Sequence, residues 1–110
     1  MNKIAISPAA SALLRLLIGR ARVTRDRILL TGLETADWRS LTFAGERHQM
    51  SLRVTGADSR GAVDRMCSGL EDAEFSIPGL LVADIALLTG PTRALDGSIE
   101  LTIEALTIAE

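Results

Sequence analysis

Cysteine, histidine and aromatic residues are scarce in this chain of 110 residues, which has one cysteine, one histidine, one tryptophan, two phenylalanines and no tyrosine. The lone Cys67 excludes an internal disulfide and a cysteine-rich zinc site. The lone His48 leaves no spaced pair of histidines for a metal ion, and the nine glycines are dispersed among turns rather than gathered in a phosphate-binding loop. The sequence therefore predicts neither a metal nor a nucleotide cofactor.

Long apolar runs are also absent. The longest, such as Leu80–Val82 and Ile85–Leu88, fall far short of the ~20 residues that a membrane-spanning helix needs. Near the start, Arg15 interrupts the segment that could form the core of a signal peptide. A single cysteine is typical of a reducing compartment. These features predict a chain with no membrane span that resides in the cytoplasm.

The rest of the composition fits one globular domain. Hydrophobic residues make up 47% and charged residues 24%, values that argue against a disordered or fibrous chain. At this length two independent cores would each be too small to be stable. The sequence therefore predicts a single domain, residues 1–110, with one core.

Charge is distributed unevenly along the chain. Residues 1–60 carry ten basic and five acidic side chains, a balance of +5, whereas residues 61–110 carry two basic and nine acidic ones, a balance of -7. The two parts could lie side by side in one sheet and neutralise each other. Alternatively, a basic surface of one subunit could meet an acidic surface of another, which would make the chain a self-assembling module or a docking partner.

Two short amphipathic helices are predicted. Ser7 before Pro8 matches an N-cap followed by proline at the first helical position, and Gly19 is a natural terminator, so the first helix should span residues 8–18. The second should span residues 59–69, with Asp58 as its cap and Gly69 as its end.

Extended segments are predicted after each helix. The alternation of apolar and polar residues that is typical of a strand is clearest in the segment that ends at Thr55. In the last segment the alternation slips at Leu106 and Ile108, which indicates a bulge near Glu104–Ala105. A turn is expected at 44–46, within a hairpin, and a longer one at Gly90–Gly97. The predicted extended segments are Thr24–Leu33, Trp38–Phe43, Arg47–Thr55, Ala73–Ile77, Leu80–Thr89 and Ser98–Ala109.

The order of these elements predicts two copies of one helix-then-strands unit, at about 7–56 and 57–110. Two helices covering one face of a mostly antiparallel sheet form an α+β two-layer sandwich with a ferredoxin-like arrangement. If the halves pair through their last strands, Arg47 and Arg53 could face Glu100 and Glu104 across the open side of the sheet.

The helix at Leu13–Ile18 leads to the strand at Ile28–Leu33, Leu52–Gly56 enters the second helix, and Leu70-Glu71 leads to the final strands. This αββαββ pattern resembles the circularly permuted ferredoxin-like domain of the M-type proteins of type II secretion and the O-type proteins of pilus assembly. The resemblance implies a dimerising, non-enzymatic scaffold of the bacterial cell envelope. The sequence departs from those families in lacking the membrane anchor that precedes the domain.

Asp84 stands within an otherwise apolar segment, where a carboxylate must reach solvent or find a hydrogen-bond donor. Alternation places it on one face with Val82 and Ala86. A second subunit could cover that face and pair an arginine with Asp84. Alternatively, Asp84 could be an exposed residue of an edge strand that discourages aggregation.

His48 follows Glu46 and Arg47, so a general base beside a carboxylate can be considered there. Alternation places His48 on the covered face, which favours a partly buried structural histidine over a catalytic one. Cys67 lies on the apolar face of the second helix, where a buried, inert thiol is expected.

Arginines crowd the region between the first helix and the first strand, at positions 15, 20, 22, 25 and 27. Nucleic acid is not the favoured partner, because single-strand binders on such sheets stack bases on exposed aromatic residues and this chain has no aromatic stripe. A solvated basic edge is predicted instead.

The sequence therefore favours a non-enzymatic interaction module that forms a homodimer through a sheet face or through the strand at Leu80–Leu88. Binding to a heterologous protein remains open. The alternative is a small-molecule binding or regulatory domain with a cleft between the two halves. An enzyme that uses Glu46, Arg47 and His48 is the third hypothesis.

Overall fold

The computed structural model describes residues 6–110 and contains two helices and one four-stranded sheet. The sheet order is β1-β2-β4-β3, and every neighbouring pair is antiparallel. This arrangement confirms the predicted α+β sandwich with αββ-αββ order and the pairing of the two halves through their last strands. In chain order the elements are α1 (Pro8–Ala21), β1 (Ile28–Arg39), β2 (Ala44–Val54), α2 (Ser59–Cys67), β3 (Leu80–Arg93) and β4 (Ile99–Ala109).

Helix α1 begins as predicted, since the Ser7 hydroxyl accepts a hydrogen bond from the Ala10 N–H at 3.1 Å. Its predicted end at Gly19 is wrong. The helix continues to Ala21, which is fully buried, and Arg22 then closes it in a left-handed conformation with φ of 56°. Burying Ala21 stabilises the extra helical residues, and this gain outweighs the tendency of Gly19 to end a helix.

Helix α2 ends at Cys67, two residues before the predicted stop at Gly69. Asp58 does not cap it, because its own backbone is left-handed with φ of 62° and its side chain makes no capping hydrogen bond. Its carboxylate accepts a hydrogen bond from Arg65 at 3.1 Å instead. Gly69 adopts a left-handed conformation beyond the helix, where a short 3-10 turn begins at Leu70.

The hairpin is longer than predicted, because β1 is one continuous strand with an irregularity between Leu30 and Gly32. Residues 25–27, predicted as strand, form a 3-10 turn. The hairpin turn lies at residues 40–43, where the Ser40 hydroxyl accepts the Phe43 N–H at 3.0 Å. Gly45, predicted within the turn, lies in β2, and a Cβ atom there would be 2.0 Å from the Thr107 carbonyl oxygen.

Strand β4 is regular against β2, so the bulge predicted near Glu104–Ala105 is wrong. The irregularities lie in β3, between Val82 and Asp84 and again after Leu87. Strand β3 also extends to Arg93, beyond the predicted end at Thr89. Residues 73–76 form no strand, and Ile77 makes only an isolated bridge to Leu80.

The core lies between the helices and one face of the sheet. Leu13 and Leu17 of α1 and Met66 of α2 have no exposed surface, and they pack in one cluster with strand residues. The strand side of this core comprises Ile28, Met50, Leu52, Val54, Ile85, Ile99, Leu101, Ile103 and Ala105. The opposite face of the sheet, which no helix of residues 6–110 covers, is called the open face below.

Within residues 6–110, neither helix has the length and hydropathy needed to cross a membrane.

Candidate functional site

The strand register defines two neighbouring rows across the open face. The first row, here the apolar row, joins Trp38, Gly45, Ile108 and Leu81. The second row, here the charged row, joins Ala36, Arg47, Leu106 and Asp84. One end of the open face therefore combines large apolar side chains with one cation and one anion.

Leu106 and Ile108 are each only 9% exposed although they lie on the open face. Every residue of β4 from Ala105 to Ile108 is buried, so this strand is covered on both faces at this end of the sheet. This two-sided burial explains the slip in alternation that the sequence suggested was a bulge. Leu81 and Phe43, exposed by 52% and 55%, add accessible apolar surface at the same end.

Arg47 and Asp84 occupy the charged row on either side of Leu106. Because β4 separates their strands, and adjacent strands are about 4.8 Å apart, their backbones lie roughly 10 Å apart. Both side chains are exposed, and neither forms a salt bridge with any residue of the 6–110 range. The row thus presents two opposite charges that are not used within the chain.

The structure separates Val82 from the other predicted members of this face. Val82 lies opposite Thr107 on the helix-covered side, whereas Asp84 and Ala86 lie opposite Leu106 and Glu104 on the open face. The irregularity between Val82 and Asp84 shifts the alternation by one residue. The prediction that Val82 shares a face with Asp84 and Ala86 is therefore wrong for Val82.

Arg53 lies directly opposite Glu100, as expected for paired last strands. Its salt bridge is nevertheless with Asp96, in the turn before β4, and its Nε donates to the Ser98 hydroxyl at 2.9 Å. Hydrogen bonds from Ser98 and the nearby Arg53 charge lower the pKa of Asp96.

The prediction that Arg47 and Arg53 face Glu100 and Glu104 is wrong for Arg47. Arg47 faces Leu106, and Glu104 faces Gln49. Among residues 6–110, neither Glu100 nor Glu104 forms a salt bridge, so Arg47 and Arg53 do not neutralise these two glutamates.

His48 is completely buried on the helix-covered side of the sheet. Its Nδ1 lies 3.1 Å from the Thr35 hydroxyl and its Nε2 lies 3.0 Å from the Thr107 hydroxyl. Burial lowers its pKa, an effect opposed by the Glu46 carboxylate, which lies 4.0 Å from Nε2. With no exposed surface and both nitrogens engaged, the ring cannot reach a substrate, and its geometry is that of a structural residue.

Cys67 is half-buried and packs against the core. Burial raises the pKa of its thiol, although the Arg20 charge opposes this effect. A raised pKa leaves little thiolate near neutral pH, so this environment does not activate the sulfur as a nucleophile.

A second feature lies on the helix side of the molecule, where α1 and α2 form an open groove of about 600 Å³. Among the described residues, four arginines and no acidic residue line this groove. The lining consists of Arg15, Leu16, Gly19, Arg20, Arg22, Arg65 and Ser68. The groove is called the arginine groove below.

The ends of the two helices are fastened together beside the arginine groove. Arg20 of α1 donates from Nε to the Met66 carbonyl at 2.9 Å and also bonds the Ser68 carbonyl. In return, Arg65 of α2 donates from Nε to the Ala21 carbonyl at 2.9 Å. These bonds satisfy carbonyl groups that the ends of helices leave without intrahelical partners.

The sequence grouped Arg15, Arg20 and Arg22 with Arg25 and Arg27 in one basic edge, and the structure divides that group. Arg27 donates to the carbonyls of Thr55 and Ala57 instead of lining the groove. Arg65 takes part in the groove but was not predicted, because it is 43 residues from Arg22 in sequence and no local pattern links the two. Only the packing of α2 on α1 brings them together.

In comparisons with protein-family models, curated proteins and solved structures, nothing matches this chain. The resemblance to secretion and pilus-assembly domains therefore stays a prediction.

Proposed function

We propose that this chain is a non-enzymatic interaction module that self-associates through the open face of its sheet. The observation that carries the proposal is the charged row, in which exposed Arg47 and Asp84 flank buried Leu106 and lack partners within residues 6–110. In the adjoining apolar row, the exposed Leu81 offers apolar surface of the kind that an interface core requires.

Two-fold symmetry makes this patch complementary to itself. In a symmetric dimer, each contact occurs twice: if residue i of one subunit contacts residue j of its partner, then residue j of the first subunit contacts residue i of the partner. A two-fold axis near Leu106 would bring Arg47 of each subunit to Asp84 of its partner. Arg47 and Asp84 lie on opposite sides of the axis, so the two Arg47–Asp84 pairs form together.

The open face is large enough for a stable interface. Four strands spaced by about 4.8 Å and about eleven residues long, at ~3.3 Å per residue, give a face of roughly 700 Å². Standard protein interfaces bury about 600–1,000 Å² on each partner. One open face per subunit therefore meets the area that a specific dimer needs.

Charge reversal tests this interface without disturbing the core, because both side chains are exposed. Arg47→Asp and Asp84→Arg each place like charges opposite one another in the dimer, and each should weaken the dimer roughly tenfold or more. Sedimentation velocity over a dilution series measures the change. Asp26→Arg, on the exposed 3-10 turn at residues 25–27, is the matched control and should leave the dimer intact. Monomeric wild-type protein at every concentration would contradict the proposal.

A second candidate function is binding of a small molecule in the cleft between the two halves. The arginine groove favours it, because the groove lies between α1, which belongs to the first half, and α2, which belongs to the second.

For both candidate functions we place the chain in the cytoplasm, because it has a single cysteine and no long apolar run.

A further inference from the structure

The arginine groove carries charge of one sign only. Arg20 and Arg65 line it together with Arg15 and Arg22, and the one acidic partner of these four among residues 6–110 is Asp58, bonded to Arg65. Arg15 and Arg22 are exposed and form no salt bridge within the described chain. Four arginines that line one groove repel one another, and an anion bound among them would relieve that repulsion.

Two of the four are held in place before any ligand binds. Arg20 is fixed by the carbonyls of Met66 and Ser68 and stands over the Phe75 ring, 5.9 Å from its centre. Arg65 is fixed by the Ala21 carbonyl and by Asp58. Because these side chains are already ordered, a ligand would not have to pay the entropy of ordering them.

The groove is also lined by two residues whose backbone conformation is one that their residue type disfavours. Gly19 lies inside α1, where glycine is a poor helix former, and a Cβ atom there would meet nothing within 4 Å. Arg22 adopts a left-handed conformation that glycine or asparagine would tolerate better. Both departures from local preference line the same groove, and such departures concentrate at functional sites.

We propose that the arginine groove binds a phosphate group, carried by a small molecule or a lipid headgroup, with Arg15 and Arg22 as its free recognition arms. Guanidinium is planar and donates two parallel hydrogen bonds to phosphate oxygens, which matches the chemistry of the groove. Its volume of about 600 Å³ lies within the range of small-molecule sites. No aromatic side chain lines it, which argues against a single-stranded nucleic acid.

This inference names the ligand class for the second candidate function and rests on it. It is independent of dimerisation, because the groove lies on the helix side and the proposed interface lies on the opposite face of the sheet. A monomeric variant should therefore bind phosphate as the wild type does.

Calorimetric titration with inorganic pyrophosphate at constant ionic strength tests the proposal. Wild-type protein should bind saturably, and Arg15→Gln or Arg22→Gly should each weaken the affinity by about tenfold. Arg39→Gln, which removes an exposed charge at the far end of β1, is the matched control and should leave the affinity unchanged. Arg22→Gly should also raise the melting temperature, so its weaker binding could not be ascribed to unfolding.

The outcomes are distinct. Absence of saturable binding by wild-type protein, or equal affinity in Arg15→Gln, Arg22→Gly and wild type, would overturn the phosphate site. Retained binding in Arg47→Asp supports the site and shows that it stands apart from the dimer proposal.

Cosedimentation with lipid vesicles distinguishes a lipid headgroup from a free phosphorylated molecule as the source of the phosphate group. Vesicles containing phosphatidic acid are compared with vesicles of phosphatidylcholine alone. Binding to the phosphatidic acid vesicles but not to the phosphatidylcholine vesicles, lost in Arg15→Gln and Arg22→Gly, indicates a lipid headgroup. Binding of pyrophosphate without binding to either kind of vesicle indicates a free phosphorylated molecule.

Discussion

At the scale of single residues, the hydrogen bonds around His48 define its protonation state. The Thr107 hydroxyl donates to the Glu46 carbonyl at 3.4 Å, so its oxygen is left to accept a hydrogen bond from Nε2–H. Nδ1 then accepts from the Thr35 hydroxyl. This neutral tautomer satisfies both ring nitrogens, whereas a second proton would place a charge where the side chain has no exposed surface.

The lowered pKa of His48 predicts how stability depends on pH. The unfolded chain takes up a proton near pH 6.5, whereas the folded chain does so only at lower pH. The contribution of His48 to the free energy of unfolding should therefore be complete above about pH 6.5. It should be lost as the pH falls from there toward the folded pKa, by ~1.4 kcal/mol for each pH unit that separates the two pKa values.

Urea unfolding at pH 7.5, 6.5 and 5.5 measures this loss. His48 is the only histidine, so His48→Gln, although less stable overall, should show a much smaller decline over the same interval. Equal slopes in the two proteins would show that the histidine is not the titrating group.

At the scale of elements, the last turn of α1 shows local preference yielding to tertiary contacts. Gly19 signals a helix end, yet the chain continues because Ala21 is buried and its carbonyl accepts a hydrogen bond from Arg65. Gly45 likewise resembles a turn residue, but it is required by the close approach of the Thr107 carbonyl. In both places the deciding atoms belong to a distant part of the sequence.

Substitution at Gly19 tests this account of α1. Gly19→Ala should stabilise the protein by ~0.5–1 kcal/mol, because alanine is the better helix former and its Cβ would meet open space. That gain corresponds to a rise in melting temperature of a few degrees for a chain of this size, measurable by circular dichroism.

Gly45→Ala is the opposing control. Its Cβ would lie 2.0 Å from the Thr107 carbonyl oxygen, so this substitution should lower the melting temperature. A fall in melting temperature for Gly19→Ala would contradict the conclusion that position 19 is an ordinary helical position open to a Cβ atom.

Short-range patterns in the sequence predict much of this architecture but little of the candidate sites. The Ser7-Pro8 start and the alternation around Met50 and Leu52 specify elements from neighbouring residues alone, and their order predicts the sheet. The shift after Val82 depends on pairing with β4, which no local pattern encodes. No local pattern encodes the proximity of Arg65 to the arginines of α1, which depends on helix packing. Nor does one encode the position of Arg47 and Asp84 in one row, which depends on strand register.

At the scale of the whole molecule, the fold is a plate of 46 × 37 × 22 Å with its helices on one side. A two-layer sandwich covers only one face of its sheet, so the other meets solvent or a partner. The charges of the basic and acidic halves are only partly neutralised within residues 6–110, by the Arg53–Asp96 and Arg60–Asp64 salt bridges. Uncompensated charge lies both in the arginine groove and on the charged row, on opposite sides of the plate.

The most direct test of self-association is the solution mass of the double variant Arg47→Asp/Asp84→Arg, measured by light scattering beside both single variants. In a symmetric dimer the exchange restores opposite charges across the axis. The double variant should therefore regain the dimer that each single variant loses, and high salt should weaken it. A double variant that is no more dimeric than the single variants would contradict the proposed pairing of Arg47 with Asp84.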